Sequence, residues 1–299
     1  MHDLMGLAMK SLMLILLLSV FGSLSPVQAL EWQGRIERVR DHAQISMPEL
    51  VQSLSGSPMI ILGEKHDTAA IQLAQASVIE SMVSTLNIQD FTTAWEFLNY
   101  TTQDQTRDAF LRFVSGSLTA SELLVITEGN AKLMNYAPIL QVTKKWGGQL
   151  LGVNLPRSDK DPVVQGGLSA AYPNTVPPGF EMGSGAYFER FSGAMQGHAT
   201  PDQVSNYFAA QCLTDDEMAY HFLRDSQSSV RFLVLGGFHS DYFDGTVARI
   251  QKRAPEKGVA VVRFIDASDF SEAELLSLSV DPVYGDIADF VLFVNEPHP

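Results

Sequence analysis

Short apolar runs alternate along the chain with longer segments in which apolar residues recur every three or four positions. The run "PMIILG" is continuously apolar, as expected of a strand that is buried on both faces of a parallel sheet. Five further runs have the length of strands: residues 91–98, 149–156, 230–237, 259–265 and 288–294. The pattern predicts an α/β fold, with a mostly parallel central sheet flanked by helices.

Helical spacing fills most of the segments between these runs. It is clearest after the first strand, where residues 71, 74, 78, 79 and 82 are apolar. Another helix is predicted to begin at Thr200, a suitable N-cap that is followed by Pro201. Between them, residues 160–200 form a Gly/Pro-rich insertion with accessory helices. The pattern leaves open whether it is a lid, a ligand-binding insertion or a loose loop.

The first residues have the layout of a secretory signal. Lys10 precedes an apolar segment that ends in the small-x-small pattern Val27-Gln28-Ala29, so residues 1–29 are predicted to be a signal peptide that is cleaved after Ala29. An uncleaved anchor is less favoured because Pro26 and its neighbours interrupt the run before about 20 apolar residues. No cysteine lies near Ala29, so lipid attachment is not predicted. We expect an exported protein, periplasmic or secreted, with residues 30–299 as one domain.

Charge and cysteine content limit the possible partners and the sources of stability. The formal net charge of −14 argues against DNA or RNA as a ligand. Cys212 is the single cysteine, so the chain has no internal disulfide. A hydrophobic fraction of 45% is enough for a core of ordinary size.

Two of the predicted strands end in the same arrangement of residues. In "ILGEKHD" and "VLGGFHSD" a histidine stands three positions after a glycine, His66 after Gly63 and His239 after Gly236. The carboxyl ends of parallel strands meet at one edge of a sheet, where α/β proteins bind their ligands. The two histidines are therefore expected to lie at the same edge.

Acidic and amide side chains are expected at that edge as well. Glu64 lies two residues before His66, Glu96 ends the second strand and Asn154 ends the third. A structural role is the alternative for Glu64, which could cap the following helix, although Asp67 is better placed as that cap. Imidazole and carboxylate groups suit a divalent metal or general acid–base chemistry, and the candidate set is Glu64, His66, Glu96 and His239.

The chain resembles a known family over these motifs. The segments "ILGEKHD", "AWEF", "YAPILQVTKKWGGQLLGVNLPR", "AQCLTDDEMAYHF" and "VLGGFHSDYFDGTVARI" are similar, from about Pro58 to Ile250, to ChaN-like haem-binding uptake proteins of the Tiki superfamily. The resemblance implies a bacterial iron-regulated exported protein that takes part in haem or iron acquisition. It also implies a haem transport component of the outer membrane or periplasm as partner, and a homodimer on ligand binding.

Haem, if bound, is expected to be held non-covalently. The chain has no Cys-x-x-Cys-His, so an axial Tyr, His or Met and an apolar slot would be required. Tyrosines near the family-like motifs or in the insertion are the candidate haem contacts: Tyr136, Tyr172, Tyr187 and Tyr242.

A second function stays open at this point. Superfamily relatives include metal-dependent peptidases and erythromycin-esterase-like hydrolases, which use comparable Glu and His positions. The alternative is therefore a metal-dependent hydrolase whose catalytic residues are Glu64, His66, Glu96 and His239. The chain has no Gly-x-Ser-x-Gly, no helical His-Glu-x-x-His and no cysteine pair, so a serine hydrolase or a zinc finger is not supported.

Overall fold

The structure is a computed structural model that describes residues 32–129 and 131–295. The predicted signal peptide lies outside the described residues. The strands are β1 (Gly34–Arg38), β2 (Ala43–Ile45), β3 (Met59–Glu64), β4 (Phe91–Asn99), β5 (Gln149–Asn154), β6 (Val230–Gly236), β7 (Val259–Asp266), β8 (Val280–Asp281), β9 (Gly285–Asp286) and β10 (Phe290–Val294). The helices are α1 (Met47–Leu54), α2 (Ala69–Thr85), α3 (Gln103–Val114), α4 (Ala120–Glu128), α5 (Ala137–Lys145), α6 (Arg157–Gly166), α7 (Gly185–Ala194), α8 (Pro201–Arg224), α9 (Gly245–Arg253) and α10 (Glu272–Ser279).

Eight strands form the main sheet, in the order β2-β1-β10-β7-β3-β6-β4-β5. The six strands from β10 to β5 are parallel, and β1 and β2 add an antiparallel edge. The predicted α/β fold with a mostly parallel sheet is thus confirmed. The sequence pattern missed β1, "GRIER", because three charged residues in five hide its strand character.

Apolar side chains of β3 alternate between two cores, one on each face of the sheet. Ile60 and Leu62 pack into one core, against α2 and α5 among other elements. Met59 and Ile61 pack into the other core, against α8 and α9. All six residues of β3 are buried, which confirms the prediction of a strand covered on both faces.

The predicted helices are present, with one correction at a helix start. Thr200 caps α8 as predicted, since its hydroxyl accepts a hydrogen bond from the Gln203 backbone N–H. At α2 the prediction that Asp67 is the N-cap is wrong, because Thr68 occupies that position. Asp67 has a positive φ of 54°, and its carboxylate instead accepts a hydrogen bond from the Asn135 amide at 2.8 Å.

The Gly/Pro-rich insertion is folded and attached to the sheet end rather than loose. It contains α7, whose Arg190 donates hydrogen bonds of 3.1 Å to the Asp241 carbonyl and to the Asp244 carboxylate. Four aromatic rings surround this guanidinium, at centroid distances of 4.6–5.8 Å: Tyr187, Phe238, Tyr242 and Tyr284. These contacts hold α7 above the carboxyl ends of the strands.

Among residues 32–129 and 131–295, no helix is long and apolar enough to cross a membrane.

Candidate functional site

The four residues predicted as a candidate site lie together at the carboxyl ends of β3, β4 and β6. His66 Nδ1 is 2.9 Å from Glu64 Oε1, and His66 Nε2 is 3.8 Å from Glu96 Oε1. The same Glu96 oxygen lies 3.3 Å from His239 Nε2. The repeated Gly-x-x-His arrangement thus places both imidazoles beside one carboxylate, as the strand-end argument predicted.

A fifth member of this cluster comes from the middle of α8. Asp215 is fully buried, and its Oδ1 lies 2.6 Å from His239 Nδ1. Carboxylates and imidazoles therefore alternate in one row, which we name the acid–imidazole chain: Glu64, His66, Glu96, His239 and Asp215. The sequence analysis missed Asp215; the one available signal was a run of three acids within an otherwise apolar helical stretch, "CLTDDEMAYHF".

Glu64 has a fixed position in the acid–imidazole chain. It is buried and accepts a short hydrogen bond from the Tyr136 hydroxyl and a 2.9 Å bond from Gln72 Nε2. Burial and the neighbouring Glu64 charge raise the pKa of Tyr136, which keeps this phenol protonated as a donor. Glu64 therefore orients the imidazole of His66 and does not cap α2.

Strong electrostatic coupling joins Glu96 to His239. Burial opposes the imidazolium form, but the charges of Glu96 and Asp215 outweigh it and raise the pKa of His239 to about 10. Burial likewise opposes the Glu96 carboxylate, yet His239, His66 and the Gly236 N–H lower the pKa of Glu96 to about 2. Both groups are therefore charged at neutral pH.

Within the acid–imidazole chain, His66 is the residue that faces solvent, with 43% of its side chain exposed. Burial alone would lower the pKa of His66. The hydrogen bond to Glu64 and the charge of Glu96 outweigh burial, and the net effect is a raised pKa. Its ring rests against Gly236, where a Cβ would lie 2.8 Å from Cε1 and Nε2. Gly236 thus gives His66 the space to reach Glu96.

Replacing Gly236 with alanine should push the His66 ring away and weaken its bond to Glu64. We expect the free energy of unfolding to fall by about 1–2 kcal/mol and the pKa of His66 to fall toward 6.5. Urea unfolding and a histidine NMR titration would measure the two changes. Gly193→Ala is the matched control, because a Cβ there meets no atom within 4 Å. An unchanged His66 titration in Gly236→Ala would contradict this account of the glycine.

A cleft of about 600 Å³ opens beside the exposed face of His66. One wall is apolar and comes from the end of α7 and from the turn after β6: Phe191, Ala194, Met195 and Phe238. The polar part of the lining includes the basic residues Lys65 and Arg263. A mostly apolar cleft with a few polar groups is the usual form of a small-molecule site. The sequence analysis did not predict any of these six residues as part of the site.

The four candidate tyrosines are dispersed, and none lines this cleft. Tyr136 and Tyr187 are buried, and the Tyr187 hydroxyl donates to Asp215 Oδ2 at 2.9 Å. Tyr242 is half-buried beside Arg190, and Tyr172 is 48% exposed on the insertion. Their contact with haem stays a prediction.

Two further polar residues come from β5 and α6. Asn154 ends β5 opposite Asn99, and its side-chain oxygen is buried without a hydrogen-bond partner among the described residues. Lys160 in α6, which the sequence analysis did not single out, is close enough to Glu96 and Asp215 to feel their charges. Burial nevertheless lowers the pKa of Lys160.

The proposed divalent metal finds no support in the geometry. In the part of the chain that the structure describes, no group of three or more His, Cys, Asp or Glu side chains is arranged to hold a metal ion. Instead, the candidate donors Glu64, His66, Glu96 and His239 face one another in ion pairs.

A family model described as haem-binding uptake, Tiki superfamily, ChaN matches residues 50–250 of the 299. The chain belongs to this family. The match contains β3, β4, β5 and β6 and every residue of the acid–imidazole chain. It confirms the resemblance that the sequence motifs indicated.

Solved structures show the same fold at low sequence identity. A structure of cofacial haem binding to ChaN of Campylobacter jejuni aligns with 88% of this chain and 97% of its own, at 22% identity and a TM-score of 0.69. The type III effector HopBA1 aligns with 91% of this chain and 100% of its own, at 11% identity and a TM-score of 0.52. No curated protein matches the chain.

Proposed function

We propose that the protein binds haem non-covalently in the cleft between α7 and the acid–imidazole chain. The observation that carries the proposal is the cleft itself: a largely apolar lining that also contains the cation Lys65 and His66, on a chain of a haem-binding family. Such a site suits a flat apolar macrocycle that carries carboxylates at one edge.

The residues that line the cleft fit haem in three ways. Phe191 and Phe238 offer aromatic surface to the macrocycle, and Lys65 offers positive charge to a propionate, whereas Arg263 is paired with Asp241 at 2.8 Å. His66 and Met195 carry side-chain atoms that can ligate iron. Haem, when bound, supplies the iron that would accept such a ligand. The protein's part is to orient His66 through Glu64.

We extend the proposal to haem or iron uptake outside the cytoplasm. Its support is the predicted signal peptide of residues 1–29, together with the uptake role in the description of the family. An outer-membrane or periplasmic transport component is the proposed recipient of the haem. The proposed homodimer on ligand binding draws on the cofacial haem that is named for Campylobacter jejuni ChaN.

Filling the cleft tests the proposed location directly. Haem titration of the purified protein, followed by absorbance, should give a saturable Soret shift. Ala194→Trp should weaken binding at least tenfold, about 1.4 kcal/mol, because Ala194 is exposed on the cleft wall and a larger ring would occupy the haem space.

Ala186→Trp is the matched control, since Ala186 is exposed on the same helix but does not line the cleft. Binding by Ala194→Trp that equals the wild type would exclude this cleft as the haem site. The absence of a saturable shift in the wild type would exclude haem binding altogether.

One observation favours a hydrolase as the second candidate function. Glu64 holds His66 through Nδ1, and the partly exposed His66 ring lines a cleft large enough for a substrate. This is the arrangement of a general base and its orienting carboxylate. Metal assistance, proposed from the residue types alone, would require the side chains of the acid–imidazole chain to rearrange.

Glu64→Gln separates the two functions. If the protein is a hydrolase, the substitution should reduce esterase or peptidase turnover by about 10²–10⁴-fold, because His66 loses the carboxylate that makes it basic. Haem affinity should fall by no more than about tenfold, since the glutamine oxygen can still accept the His66 Nδ1–H bond and keep the ring oriented. A screen with ester and peptide substrates, run beside the haem titration, measures both. Turnover that survives in Glu64→Gln would remove Glu64 from the catalytic set.

A further inference from the structure

β5 ends the main sheet on the side away from β1 and β2, so one of its edges has no neighbouring strand among the described residues. Its sequence, "QLLGVN", contains neither a charged residue nor a proline. Natural sheets usually protect an edge with charge, proline, a bulge or a very short strand, because free backbone groups can pair with another chain. The opposite edge strand, β2, is only three residues long. The longer and mostly apolar β5 therefore needs another form of protection.

The side chain of Gln103 occupies this edge. Its Nε2 donates to the Leu150 carbonyl at 3.0 Å, and its Oε1 accepts from the Gly152 N–H at 2.7 Å. In a parallel pair of strands, one residue of the neighbour donates to the carbonyl of residue i−1 and accepts from the N–H of residue i+1. Gln103 makes the same two bonds around Leu151. Its amide thus takes the place of one residue of a further parallel strand.

The local sequence brings Gln103 to this position. Gln103 is the first residue of α3, which follows β4 after the short 3-10 helix Tyr100–Thr102. This link passes close to β5 at Gly152, where a Cβ would lie 2.6 Å from the Asn99 carbonyl oxygen. The Thr102 hydroxyl donates to the same carbonyl at 3.1 Å. The missing side chain at Gly152 therefore lets the start of α3 lie against the edge of the strand.

Beside Gln103 the edge of β5 opens into a cavity of about 450 Å³. Leu150 and Leu151 line this cavity from the strand. Leu111 and Val114 line it from α3 and are 60% and 44% exposed. The helix therefore does not close the space along the strand, and the Gln103 amide is the group that engages the outward backbone groups of β5.

We infer that Gln103 is an intramolecular substitute for a strand, which keeps the β5 edge closed to strand addition by another copy of this chain. A carbonyl and an N–H that are already paired gain little from a second partner, because each new bond would cost an existing one. Without the amide, the Leu150 carbonyl and the Gly152 N–H would be free at an apolar edge, spaced for a parallel strand. The inference concerns self-association and is independent of the proposed haem binding.

Removing the amide tests this role. In Gln103→Ala, the amide proton of Gly152 should exchange with solvent at least about tenfold faster than in the wild type, because its acceptor is lost. Sedimentation velocity of the haem-free protein over a concentration series should show larger species in Gln103→Ala and not in the wild type. Gln141→Ala is the matched control, since Gln141 is an exposed glutamine of α5, and it should match the wild type in both measurements.

Gln103→Asn covers the case in which Gln103→Ala does not fold. It keeps the amide but is one methylene too short to reach both backbone groups, so the same two changes are expected. Adding Gln149→Lys to either variant should abolish the association and leave the fast Gly152 exchange, because charge on the exposed Gln149 position of β5 opposes strand pairing. Unchanged exchange at Gly152, or fast exchange without association, would overturn the inference. Association that persists with Gln149→Lys would place the contact on another surface and would overturn it as well.

Discussion

Replacing His239 with alanine should lower the free energy of unfolding by about 3–5 kcal/mol at neutral pH. His239 lies between Glu96 at 3.3 Å and Asp215 at 2.6 Å, and both carboxylates are largely removed from water. Without the imidazolium, two buried negative charges would face a cavity with no cation between them. Removing one partner of a buried ion pair is among the most destabilising single changes known for proteins.

Urea unfolding with a single-transition fit would measure this loss. His198→Ala is the matched control because His198 is exposed, and its effect should stay within about 0.5 kcal/mol. A loss below 1 kcal/mol in His239→Ala would mean that the imidazole is not the counter-charge of Glu96 and Asp215. Retained stability would also weaken both candidate functions, which share this framework.

The free energy of unfolding should depend on pH through the same ion pair. It should be highest over a middle range of pH and should fall at both higher and lower pH. The folded state raises the pKa of His239 from 6.5 to about 10, so its contribution is complete below pH 6.5 and is lost as the pH rises through about 10. The pKa of Glu96 falls from 4.5 to about 2, so its contribution is complete above pH 4.5 and is lost as the pH falls through about 2. We expect maximal stability between about pH 4.5 and 6.5 from this pair.

The loss of unfolding free energy at high pH, the alkaline limb of the pH dependence, should be larger than the loss at low pH. A rise from 6.5 to about 10 corresponds to roughly 5 kcal/mol at 1.36 kcal/mol per unit, an upper value because other groups respond to the same charge. Unfolding free energies from pH 5 to 10 would trace it. His239→Gln should abolish the limb, and His198→Gln should retain it. The same alkaline slope in wild type and His239→Gln would assign the titration to other groups.

The sequence was a good guide to residues at the ends of strands. An apolar run followed by Gly-x-x-His fixes where a side chain leaves a parallel sheet, so the sequence alone places His66 and His239 at one edge. Glu96 followed from the same argument. Asp215 could not, because its position depends on how a 24-residue helix packs across the sheet. Local periodicity does not contain that long-range information.

Residue type alone was a weak guide to exposure in the insertion and around it. Tyr136 and Tyr187 were candidates for contact with a ligand, yet both hydroxyls donate to buried carboxylates within the fold. Phe191 and Met195 were not among the predicted site residues, but they line the proposed haem cleft. The difference arises from the angle at which α7 lies, which Arg190 fixes through contacts with residues about 50 positions away.

The place of β10 in the sheet has a consequence for the order in which the chain can fold. β10 lies between β1 and β7, so Gly34 pairs with Val294, and within residues 32–129 and 131–295 β2 is the only other strand that pairs with β1. During synthesis the β1–β2 hairpin therefore cannot join the parallel strands until β10 emerges from the ribosome. Contacts this distant in sequence slow folding and keep the edge of β7 open to other chains. Loss of β10 alone would divide the sheet and leave the hairpin detached.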